Sequence, residues 1–100
     1  MANNYPEFIA KLQKTDPKIY ESVSQIFDLS MGPGELDGKT KILIILALDA
    51  LSGSGEGVRM LSKVARNMGI SDGQISEALR LAYLAAGNPV LNAMKSAFEE

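Results

Sequence analysis

Apolar residues recur along the chain at helical spacing, and short glycine, proline or polar breaks interrupt them. Pro6 to Lys14 carries Phe8, Ile9 and Leu12 on one face, which predicts a first short helix. Asp16-Pro17 predicts the start of a second. The aspartate can accept a bond from a first-turn N–H, and proline tolerates the first helical position because its missing donor would have no partner there. Ile19, Val23, Ile26 and Phe27 then mark an inner face, with Lys18, Glu21, Ser22 and Gln25 outside, until Ser30-Met31-Gly32-Pro33-Gly34. That stretch cannot continue a helix.

Asp37 is the expected cap of a third helix, whose run from Ile42 to Leu51 is apolar nearly all round. It is too short to cross a membrane, which takes about twenty apolar residues. Its β-branched residues would suit a buried strand, but it has no second strand to pair with. The expectation is a helix buried on all sides. After the flexible Ser52-Gly53-Ser54-Gly55-Glu56-Gly57, a fourth helix is predicted with Val58, Leu61, Ala65 and Met68 inward and Arg59, Lys63 and Arg66 outward; Gly69 ends it. Ser71-Asp72-Gly73-Gln74 reads as a capping box for a fifth helix. This helix carries Ile75, Ala78, Leu79, Ala82 and Ala86 and is expected to stop at Gly87, and Asn88-Pro89 starts a sixth with Val90, Leu91, Met94 and Phe98. The predicted fold class is all-α, five to six short helices joined by short turns.

Composition narrows the chemistry. The 100 residues suit a single domain over 1–100, 46% of them hydrophobic and 22% charged, which argues against disorder. A formal net charge of −2 offers no footprint for nucleic acid or an anionic membrane. The chain has no cysteine and no histidine. Disulfides, thiolate metal sites and thiol redox chemistry are excluded, and the commonest general base and metal ligand are missing. No cofactor and no metal are expected. The glycines at 53, 55 and 57 resemble a phosphate-cradling loop only superficially, since no lysine follows as a P-loop requires. The start, MANNYPEF, lacks the cationic and apolar regions of a signal peptide, so the expected location is cytoplasmic.

So much apolar surface on a small chain predicts a homo-oligomer. The Ile42–Leu51 helix needs cover on every side, and the fifth helix adds Leu81, Tyr83, Leu84 and Ala85 on further faces. The alternative is that the N-terminal helices wrap it.

The order of motifs in the second half resembles a known family. Leu36-Asp37-Gly38-Lys39-Thr40-Lys41-Ile42-Leu43-Ile44 is similar to an L-D-x-K-T-K-E-L-I opening; Arg59-Met60-Leu61, Ala65-Arg66-Asn67-Met68-Gly69-Ile70-Ser71 and Ala85-Ala86-Gly87-Asn88-Pro89-Val90-Leu91-Asn92-Ala93 follow. From about Glu35 to Phe98 the chain resembles the carboxymuconolactone decarboxylase family, which includes the alkylhydroperoxidase D-like proteins. The resemblance implies an all-α fold that assembles as trimers or hexamers. It also implies a site. The redox branch carries C-x-x-C-x-x-x-H with a relay glutamate in the preceding helix, and those positions fall on Ser54, Gly57, Leu61 and Ile42. None of these side chains can act as a redox thiol or move a proton as histidine or glutamate does. The decarboxylase branch matches in part at Arg59-Met60 and Gly87-Asn88-Pro89, again with Leu61 for the histidine.

Three function classes remain: binding of a small anionic molecule, acid–base catalysis resembling a lactone decarboxylase, and a non-catalytic structural or partner-binding oligomer, a possible pseudoenzyme. Arg59 can hold a carboxylate bidentately and Glu56 can act as acid or base if desolvated, which makes them the candidate catalytic pair. Lys63, one turn on, would widen the cationic face for a small carboxylate ligand, although a charged stripe opposite an apolar one also describes a solvated side. Glu56 equally suits the dipole of a helix N-terminus. Asp49, an acid in an apolar helix, is either a perturbed functional carboxylate or one that faces solvent or a lysine of a neighbouring subunit. Tyr83 is expected in the core, its hydroxyl partnered, or lining a pocket.

Overall fold

The computed structural model describes residues 5–99. Among them there is no strand, and the helices run α1 Glu7–Ala10, α2 Leu12–Thr15, α3 Pro17–Met31, α4 Gly38–Leu51, α5 Gly55–Asn67 and α6 Asp72–Met94, followed by a 3-10 turn over Lys95–Phe98. The backbone groups into two compact units, 1–35 and 36–100.

In the first unit α1 and α2 both pack on α3 or on each other. The single helix predicted over Pro6 to Lys14 is broken at Lys11, because the Ile9 and Ala10 amides share the Pro6 carbonyl and the Lys14 amide bonds only three residues back, to Lys11. Asp16 caps α3 as expected, its carboxylate accepting from the Ile19 amide at 3.2 Å. Tyr5 stands edge-on to Phe27 and Tyr20, with centroids 5.5 and 6.0 Å away, and donates its hydroxyl to the Asp28 carboxylate. Aromatic edges and a charge-assisted bond therefore tie the chain before α1 to α3.

In the second unit α4 packs against both α5 and α6. Asp37 caps α4, accepting from the Thr40 amide at 2.8 Å. Bonds from the Thr40 backbone and then its hydroxyl, aided by Lys39, hold the Asp37 carboxyl below its ordinary value. The predicted end of α5 also holds: Gly69 adopts φ +86°, and the Ile70 amide reaches back to the Ala65 carbonyl, closing orphan carbonyls as a left-handed glycine cap does. Ser71 and Gln74 form the capping box in both directions.

Three expectations are corrected. First, α5 begins at Gly55, so the stretch read as flexible is a tight turn: Gly53 turns at φ +81° and the Ser54 hydroxyl accepts from the Gly57 amide at 3.1 Å. Second, Gly87 does not stop a fifth helix and Asn88-Pro89 does not start a sixth. One 23-residue helix runs through all three. Pro89 removes a donor to the Ala85 carbonyl, but Ala85 is exposed, so water can satisfy that oxygen and no packing enforces a turn. Third, within one chain α4 is not buried on all sides. Ile42 and Leu46 are buried, Leu46 completely, whereas Ile44, Leu48 and Leu51 are exposed. The buried pair is spaced i, i+4 and the bare trio i, i+4, i+7, so α4 carries two apolar stripes on opposite faces.

Candidate functional site

The turn between α4 and α5 brings Asp49, Ser54 and Gly57 together. The Ser54 amide donates to the Asp49 carbonyl at 2.9 Å, and so does the Ser52 hydroxyl. This folds the last turn of α4 onto the first turn of α5 and carries the half-buried Asp49 side chain across to Gly57. A Cβ at position 57 would overlap the Asp49 carboxylate oxygen and come within 2.8 Å of the Ser54 hydroxyl. Gly57 is thus a close-approach glycine, and a carboxylate and a hydroxyl converge on the space that a side chain there would take. Ile42 is buried and Leu61 half-buried. Neither supplies a polar atom.

The residues singled out from the sequence separate here. Glu56 and Arg59 form an ion pair with each other on the exposed face of α5. The guanidinium is thereby engaged, and the carboxylate is not desolvated. Arg66 is bonded to Asp72 at 2.9 Å. Lys63 is exposed and makes no ion pair among the described residues. The expectation of a core tyrosine is corrected: Tyr83 is 81% exposed and lines an open depression of about 460 Å³ with Ser76, Leu79 and Arg80. Ile75, Ala78 and Ala82 take the inward face of α6, and Tyr83 lies about 100° of helical turn beyond Ala82.

One concavity was not among the predicted sites. An open groove of about 370 Å³ runs between α4 and α6, with Leu43, Ile44, Ala47, Ala78 and Leu81 forming its apolar walls and Glu77 its only ionisable group. Its residues recur at helical spacing on both helices, which is the signal the sequence offered. Which two faces meet is a tertiary matter. Among the described residues no group of three or more acidic, histidine or cysteine side chains could hold a metal, and no helix is long and apolar enough to cross a membrane.

With this geometry in view, comparison with known proteins gives three findings. A model of the carboxymuconolactone decarboxylase family matches residues 17–100. An uncharacterized protein of Methanocaldococcus jannaschii is 29% identical over 83 residues, which is 83% of this chain and 78% of that protein. A crystal structure of a protein from Methanobacterium thermoautotrophicum superposes with a TM-score of 0.79 at 24% identity, covering 93% of this chain and 100% of the other. At that identity the likeness speaks for the fold.

Proposed function

The chain belongs to the carboxymuconolactone decarboxylase family, and from that membership we propose that it is a member without thiol chemistry that works as a homo-oligomeric helical protein. The observation that carries this reading is the second stripe of α4. Ile44, Leu48 and Leu51 lie bare on a helix whose opposite face is already packed, and large apolar patches on small domains mark association surfaces. Ser54 and Gly57 stand where a redox member has cysteines, so the assembly would not carry a peroxidase or disulfide-reductase cycle. The test is the mass in solution: light scattering should give a small integer multiple of the 10.7 kDa chain. A monomer at micromolar concentration would end the proposal.

A second reading, acid–base action on a small carboxylate, draws support from the α4–α5 turn. It takes Asp49, which converges with Ser54 on the Gly57 backbone, as the proton-moving group in place of Glu56, which Arg59 already engages. Lys63 would then be the cation of choice for the ligand. Screening small carboxylates by thermal shift tests this reading, because a ligand that prefers the folded state raises the melting temperature. An unchanged melting point across the series, or a shift that survives both Asp49→Asn and Lys63→Ala, would sink it.

A further inference from the structure

The long helix α6 outruns the helices that it packs against. Its 23 residues span about 34 Å, against about 21 Å for the 14 of α4. Among the described residues nothing beyond Ala82 is buried, and residues 88–99 are exposed throughout. Glu77, Leu81, Leu84, Asn88 and Leu91 follow one another along α6 at alternating steps of four and three, and Lys95 at its C-cap extends them, the spacing of a coiled-coil seam. Leu81, Leu84 and Leu91 on that seam are 65%, 59% and 62% exposed.

Read from its two ends, the seam matches an acid with a base and a leucine with a leucine, with Leu84 and Asn88 at its centre. Laid antiparallel on a copy of itself, the helix sets Glu77 opposite the partner subunit's Lys95, Leu81 opposite the partner subunit's Leu91, and Leu84 opposite the partner subunit's Asn88. A two-fold axis then repeats each pair, as an isologous interface requires. Glu77 is the only charged residue lining the α4–α6 groove, and Lys95 is the only charged residue from Tyr83 to Phe98. The two charges are opposite, and the register that pairs them also pairs the leucines. The overhang cannot reach the groove of its own chain while α6 is continuous, because Leu81 and Leu91 lie about 15 Å apart along one axis.

We propose that the overhang of α6 lies antiparallel along α6 of a second copy, over that copy's α4–α6 groove, in the register that pairs Glu77 with the partner subunit's Lys95. This rests on the oligomer reading above and adds the contact and its register. The chain's lack of cysteine makes the test clean. Leu81→Cys and Leu91→Cys chains, each unlinked alone, should form a covalent dimer under mild oxidation when mixed, and the double variant should do so by itself. Glu77→Lys and Lys95→Glu should each raise the concentration at which the assembly dissociates by roughly tenfold, and the double exchange should restore it. An assembly of unchanged mass that neither forms the 81–91 link nor responds to charge reversal would overturn the register and leave oligomerisation standing. A linked double variant of monomer mass, which requires α6 to fold back at Gly87-Asn88-Pro89, would overturn the exchange between copies, and a monomeric native chain would overturn both proposals.

Discussion

At the residue scale the informative position is a glycine. Ordinarily Gly→Ala inside a helix gains about 0.5–1 kcal/mol by restricting the unfolded chain. At Gly57 the added methyl would meet the Asp49 carboxylate and the Ser54 hydroxyl, and the overlap outweighs a gain of that size. Gly57→Ala should therefore destabilise the native chain and cost less in one that already carries Asp49→Ala, where only the Ser54 hydroxyl is met, a non-additivity that a urea double-mutant cycle reads directly. Additive effects would refute the contact. Asp37 makes a second prediction. Its carboxyl is held low by the Thr40 amide and hydroxyl, so the folded chain binds that proton more weakly than the unfolded one. The cap is then fully stabilising above the ordinary carboxylate value and loses its contribution as pH falls through the lowered value. Asp37→Asn keeps a competent cap and should flatten the acid limb of the stability curve; because the group is exposed, salt should shrink the difference.

At the element scale, α4 and α6 each carry more than one apolar face, and the two differ in how the surplus is used. In α4 the surplus stripe, Ile44, Leu48 and Leu51, lies opposite a packed one. In α6 it continues along an overhang with no packing beneath it, which is why a glycine–asparagine–proline run is tolerated inside the helix. A proline in a helix interior costs about 3 kcal/mol through the lost hydrogen bond and the clash of its ring with the preceding turn, but on the overhang it displaces no packed neighbour. Pro89→Ala should raise the far-UV helical signal and slow amide exchange from Ala85 to Met94, while exchange around Ile75 to Ala82 stays as it was. Uniform slowing along α6 would show that the overhang and the packed portion open as one unit.

At the scale of the whole molecule, the buried apolar set among the described residues is small: Ile42, Leu46, Ala65, Ile70, Ile75, Ala78 and Ala82 in the second unit, and Ile9 in the first. Many large apolar side chains, from Leu29 to Phe98, stay at the surface. Such a balance makes the stability of one chain depend on what it associates with. Leu46 is wholly buried, so Leu46→Ala should lose about 2–5 kcal/mol of unfolding free energy whatever the assembly state. Leu48→Asp, on the bare stripe, should instead shift the mass toward the monomer with its helical spectrum intact. If Leu48→Asp unfolded the chain at all concentrations, the stripe would belong to the fold and not to an interface.

Periodicity, caps and breakers are local, and for that reason the all-α class, the Asp16 and Asp37 caps, the Gly69 terminator and the Ser71–Gln74 box were all legible in the residues alone. So was the absence of thiol chemistry, since a chain without cysteine has no thiol to oxidise, and the order of motifs pointed to the family before any coordinates did. Tertiary structure decided whatever depends on which faces meet. Gly87 and Pro89 look like a break, but a break forms only where packing or an unsatisfied carbonyl demands one, and the exposed end of α6 demands neither. Glu56 and Arg59 look like a site, but three residues apart on one exposed helical face they satisfy each other. Asp49 was visible as an acid in an apolar helix, and only the fold of the α4–α5 turn could say that it reaches across to Gly57.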